Sequence, residues 1–150
     1  MAPPWPEVEL LRRVAGQQET EADRVELAAR LRLYFESAEE GITLDDCFGL
    51  RVCRGGSPWW RLETIGRRDA AVRLLARRHH NGRPVARQAA EIRAGLLRYA
   101  ATAWRFDRLK AEVPFSYLGT ERQIQFDILR THEIILSERQ LQRILSAGEN

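Results

Sequence analysis

The sequence predicts an all-α fold: a compact bundle of about six helices around a long central helix at residues 84–112, with no significant sheet. Three observations carry that prediction. Apolar residues recur at helical spacing, most regularly at Val85, Ala89, Ile92, Leu96, Tyr99, Ala103 and Phe106, with Leu97, Ala100 and Trp104 beside them. Helix-start signals and glycine stops punctuate these runs. Two-residue alternation is confined to Phe48, Leu50 and Val52, too little for a sheet. All 150 residues read as a single all-α domain, within which a C-terminal helical hairpin at 117–147 could stand weakly separate.

The elements follow in order. Val8, Leu11 and Val14 lie three apart with Leu10 beside them, which predicts a short amphipathic helix from Pro6 to Ala15, stopped by Gly16. Thr20 with Asp23 has the spacing of a capping box. It opens a second helix of about twenty residues whose expected inner stripe is Val25, Ala28, Leu31, Phe35 and Ala38, joined by Leu27 and Tyr34, with Gly41 as its end. Thr43 with Asp46 opens one further turn, and an irregular, partly buried segment follows.

In CRGGSPWWRLE, Gly55 and Gly56 break the chain, Ser57 suits an N-cap and Pro58 the first helical position. The third long helix carries Leu62, Ile65, Val72 and Ala76 inward with Leu75 at the edge. Asp69 lies on the same side, expected to pair with Arg73 one turn on. Asn81-Gly82 is its left-handed stop. Beyond the central helix, Ile124, Ile128 and Leu129 mark another helix, His132 to Leu136 a break, and Ser137 with Gln140 the cap of a last helix burying Leu141, Ile144 and Leu145.

At 44% hydrophobic and 30% charged residues the chain reads as globular rather than disordered. The opening MAPPWPEVEL lacks the basic start and apolar stretch of a secretory signal, and no apolar run reaches the length of a membrane span; the expectation is a cytoplasmic protein without membrane contact. Cys47 and Cys53 read as reduced, small buried hydrophobes. Their spacing does not suit zinc, and adjacent His79-His80 would point to different sides of a helix, so no metal or other cofactor is expected. No grouping of nucleophile, base and acid appears, so no catalytic residue is assigned and no enzymatic activity is expected.

Charge is the informative feature. The net +3 hides a partition: residues 1–50 carry −6, residues 51–108 carry +10 and residues 109–150 carry −1. Arginine outnumbers lysine 23 to one, a bias that suits bidentate phosphate contact and that a GC-rich genome also produces. RRDAAVRLLARRHHNGRP, residues 67–84, holds six arginines and two histidines against one acid, Asp69. Arg77, Arg78, His79 and His80 there also complement the negative end of their helix.

These residues point to a polyanion surface of Arg67, Arg68, Arg73, Arg77, Arg78, Arg83 and Arg87, with Arg54 at the glycine turn as a further phosphate contact. Arg139, Gln142 and Arg143 on the last helix are the candidates for reading base edges. The expected function is a small nucleic-acid-binding protein, bacterial or phage, with a regulatory or architectural role. The alternative is a helical adaptor or inhibitor that meets an acidic protein partner, as monomer or homodimer. A third arrangement has the acidic N-terminal helices fold back and neutralise the arginines internally.

Overall fold

A computed structural model describes residues 5–147. Among the described residues there are eight α-helices and two short 3-10 turns, and no strand. The fold is all-α. The chain divides into two compact units, one running to Glu63 and the other from Thr64.

The N-terminal unit holds α1 (Pro6–Ala15), α2 (Glu21–Ser37), a 3-10 turn at Ala38–Glu40, α3 (Leu44–Cys47) and the first turn of α4 (Trp59–His79). Its core gathers Leu10, Cys47 and Phe48 with Leu27, Leu31 and Tyr34. Both expected capping boxes form: the Thr20 hydroxyl accepts the Asp23 N–H at the head of α2, and Thr43 that of Asp46 at the head of α3. Gly41 closes the 3-10 turn in the left-handed region, at φ 84°.

The inner face of α2 differs from the expected stripe, because Val25 and Phe35 are 63% and 76% exposed. The Asp23 carboxylate, besides taking the Thr20 N–H, receives a bidentate Arg13 guanidinium at 2.6 and 2.9 Å and is itself buried. That anchor fixes the rotation of the helix so that the face of Asp23, Leu27, Leu31 and Tyr34 turns inward. Pro58 also differs. Its carbonyl accepts the N–H of Leu62 at 3.2 Å, so it caps α4 rather than opening it. Cys53 is exposed, not buried, and Cys47 is buried; both are free thiols.

The C-terminal unit comprises the rest of α4, then α5 (Val85–Ala101), α6 (Trp104–Asp107), a 3-10 turn at Phe115–Tyr117, α7 (Glu121–Thr131) and α8 (Glu138–Ser146). α8 lies along α5 as its main packing partner. Val72 and Leu75 of α4, Ala89, Ile92, Leu96 and Tyr99 of α5, Phe126 and Leu129 of α7, and Leu141 of α8 are almost wholly excluded from solvent. The α5 stripe is therefore filled from within the chain. Ser137 and Gln140 form the expected capping box of α8.

The central helix is shorter than residues 84–112. It stops at Ala101, and Phe106, expected inside, is 61% exposed. The Thr102 hydroxyl turns back to donate to the Arg98 carbonyl at 2.7 Å, an alternative to the helical ladder open to threonine. The chain restarts as α6, which carries Asp107 into the core. There its carboxylate accepts the Tyr99 and Tyr117 hydroxyls, both at 2.9 Å, and the Lys110 ammonium at 2.7 Å. Burial pushes this carboxyl up, but the ammonium and the two phenols outweigh it and hold it below the usual range. Trp104 packs edge-on against Tyr99 and Phe126, with centroids 5.9 and 5.7 Å away.

Candidate nucleic-acid interface

The division into units coincides with a division of charge. From Thr64 on the chain carries 16 basic and 9 acidic side chains, a net of +7, while residues 1–63 carry 8 and 12, a net of −4. Acids of the N-terminal helices engage arginines of their own unit: Glu9 and Glu63 hold Arg12, Asp23 holds Arg13, and Glu26 holds Arg30. Among the described residues no helix is long and apolar enough to cross a membrane, and no three His, Cys, Asp or Glu side chains group as a metal site.

Within the basic unit each arginine has a distinct setting. Arg68 folds onto Asp69, with Nε and one terminal nitrogen at 2.9 and 2.7 Å from the same oxygen, and its side chain is only 12% exposed. Asp69 thus pairs with its sequence neighbour rather than with Arg73. Arg73 is occupied elsewhere, its Nε donating to the Ile144 carbonyl near the end of α8 at 3.2 Å. Arg83 and Arg87 share Glu91: Arg87 Nε lies 3.0 Å from one oxygen, Arg83 pairs with the other, and buried His80 Nδ1 is 3.1 Å from that second oxygen. One carboxylate thus serves two guanidiniums. Its spacing to Arg87, one helical turn, is visible in the sequence.

Arg77 and Arg78 stand exposed, and among the described residues neither makes an ion pair. At 3.6 residues per turn, Arg67, Arg77 and Arg78 fall within an arc of about 100° along α4. Arg67 lines a shallow groove with Thr64, Ala71, Asp127, Arg130 and Thr131. Arg139 and Arg143 lie one turn apart on the exposed side of α8, with Gln142 half-buried between them. Arg54 is exposed in the N-terminal unit, in a turn closed by the Gly56 N–H on the Cys53 carbonyl at 2.8 Å. It is not brought together with the ten other candidates within one unit.

The chain matches no protein-family model, no curated protein and no solved structure. Its chemistry is therefore read from its own side chains.

Two polar residues that sequence reasoning did not single out, Asn81 and Gln88, join Arg73 and Arg77 around a pocket between α4, α5 and α8. In the sequence Asn81 reads only as part of a helix stop, and Gln88 stands out in no pattern. Neither type carries a charge signal, and only the fold converges them. The unit as a whole supplies 16 basic side chains against nine acidic ones, of which Asp69, Glu91 and Asp107 are already held by cations, and such an excess of guanidinium donors suits phosphate or carboxylate oxygens.

Proposed function

We propose that this chain is a nucleic-acid-binding protein acting in the cytoplasm, whose basic helical unit contacts phosphates and whose role is regulatory or architectural rather than catalytic. One observation carries the reading: positive charge is segregated into the unit from Thr64 on, and Asp69, Glu91 and Asp107 there are already engaged by cations. Arg77, Arg78, Arg139 and Arg143 remain for a ligand that brings its own negative charge. Each phosphate neutralised releases condensed counterions, so affinity should fall linearly with the logarithm of salt concentration, at a slope of about 0.9 per contact.

Fluorescence anisotropy with a random duplex, titrated from about 50 to 200 mM salt, tests this. The expected result is binding at low salt whose slope falls by about two in R77A/R78A. If Arg139, Gln142 and Arg143 read bases, R139A/R143A equalises affinities across sequences that the parent chain distinguishes. Absence of binding at about 50 mM salt overturns the proposal.

A second reading, the adaptor for an acidic protein partner, draws on a different observation. Phe106, Leu109, Phe115 and Leu118 are all exposed within one short stretch, and Phe115 and Leu118 border a groove floored by Val113 and Phe126. Apolar anchors beside arginines are the composition of a protein interface core. Purified protein that carries no nucleic acid, judged by a 260/280 absorbance ratio unchanged after a high-salt wash, favours this reading.

A further inference from the structure

The pocket between α4, α5 and α8, of about 210 Å³, is lined by Arg73, Ala76, Arg77, Asn81, Val85, Gln88 and Leu145. Its hydrogen-bonding capacity is decided by what its polar side chains already do. Arg73 spends Nε on the Ile144 carbonyl, which holds the side chain across the end of α8 and leaves both terminal nitrogens available. Arg77 makes no ion pair among the described residues. The Asn81 oxygen accepts the Gly82 N–H at 2.9 Å, so its amide nitrogen remains as a donor. Gln88 donates Nε2 to the Arg83 carbonyl at 2.7 Å, which leaves its oxygen as the side-chain acceptor of the lining that carries no hydrogen bond.

Two guanidiniums and an amide donor therefore meet over a floor of Ala76, Val85 and Leu145, without a carboxylate in the lining. The donor set asks for a compact anion of high charge with several acceptor oxygens, and forked guanidinium donors match phosphate geometry. The apolar floor asks for a carbon skeleton attached to it. The Gln88 oxygen suits a hydroxyl or amino donor on that skeleton. We infer that this pocket takes the terminal phosphomonoester of a nucleotide, at the end of a nucleic-acid strand, with the sugar and base edge resting on Val85 and Leu145.

A terminal phosphomonoester fits better than an internal phosphodiester on two counts. It carries nearly two negative charges near neutral pH where the diester carries one, matching the two arginines. It also enters end-on, whereas an internal phosphate has chain to accommodate on both sides in a recess walled by three helices. The inference rests on the nucleic-acid reading for the source of the phosphate, but its chemistry can be tested separately.

The test compares a short single strand bearing a 5′-phosphate, the same strand ending in a 5′-hydroxyl, and free thymidine 5′-monophosphate, each titrated calorimetrically into the full chain, R77A and V85F. Arg77 is exposed, so its removal leaves the fold alone; V85F fills the pocket without changing charge, and thermal unfolding verifies that it folds. The phosphorylated strand should bind about tenfold more tightly than the hydroxyl strand, and the gap should close in both variants. R78A, titrated in the same way and lying outside the pocket lining, should weaken both strands alike and keep the gap between them, which separates a filled pocket from a weakened surface. Equal affinity of the two strands for the parent chain, or a gap that survives V85F, overturns the inference. Should neither strand bind, the nucleic-acid reading fails; thymidine monophosphate binding that R77A abolishes would then still support a phosphomonoester pocket, and its absence would sink that as well. Monophosphate binding as tight as the phosphorylated strand supports the pocket chemistry and assigns the ligand to free nucleotide.

Discussion

Tyr99 and Asp107 are joined by a hydrogen bond of 2.9 Å between a phenol on the last turn of α5 and a carboxylate on the last turn of α6, both almost wholly buried. The bond closes the break that Thr102 makes in the helix. Removing the carboxylate would strand the buried Tyr99 phenol and take a hydrogen-bond partner from half-buried Tyr117 and from the solvent-exposed Lys110 ammonium. Asp107→Ala should therefore destabilise the chain by about 2–4 kcal/mol, seen as a fall in melting temperature by circular dichroism of about 5–15 °C. A loss below about 0.5 kcal/mol would show that the carboxylate carries no structural weight.

The same cluster sets a pH window. The Asp107 carboxyl is held below its ordinary value, so its contribution is present above about pH 4 and is lost as pH falls below that, when the folded state must take up the proton. Burial first, and then the adjacent carboxylate, push the Tyr99 phenol well above its ordinary value. Its contribution is complete below about pH 10 and declines as pH rises beyond it. Tyr99→Phe should flatten the alkaline limb of a stability-against-pH curve down to the part owed to Tyr117, and should also shrink the acid limb, because Asp107 loses one of the hydrogen bonds that hold its carboxyl low. An unchanged alkaline limb would mean that the phenol is not the group responsible.

Glycine in a helix interior is ordinarily improved by alanine, by about 0.8–1.0 kcal/mol. Gly95 should behave in the opposite way. A β-carbon there would sit 2.8 Å from Gln125 Nε2, and Gln125 is buried with its amide held on Glu121 Oε1 at 2.9 Å. Steric displacement and the broken hydrogen bond outweigh the propensity gain, so Gly95→Ala should cost about 1–3 kcal/mol in urea unfolding. A more stable variant would refute the close approach of α5 and α7.

Glu91 offers a gain-of-binding test. Its one charge answers Arg83, Arg87 and the imidazole of His80. Glu91→Gln should release the two arginines, steepen the salt dependence of polyanion binding by about one and raise affinity at low salt, while lowering the melting temperature. Weaker binding by a variant that still folds would place Arg83 and Arg87 outside the contact surface.

What the sequence reveals follows the range of the interactions concerned. Thr20 with Asp23, Thr43 with Asp46 and Ser137 with Gln140 are contacts across three residues, and all three caps form as their spacing implies. The α5 stripe from Ala89 to Tyr99 is legible because apolar residues occupy one face only. α2 is not, since apolar residues lie on both its faces and the inward side is chosen by Arg13, ten residues from Asp23. Arg68 reads as free until its neighbour's carboxylate turns toward it. In the candidate site the abundance and location of arginine are visible in the sequence. Which of them are already ion-paired depends on Asp69 and Glu91, and the convergence of Asn81 and Gln88 on Arg73 and Arg77 depends on tertiary packing.

Trp104 is the one tryptophan from Thr64 on, while Trp5, Trp59 and Trp60 belong to the N-terminal unit. The core of the basic unit thus has its own optical label. In a chain with the other three replaced by phenylalanine, emission excited at about 295 nm would follow that unit alone, starting blue-shifted because the indole is buried. Comparing such a trace with the far-ultraviolet signal of the whole chain would reveal whether the two halves melt together or in succession.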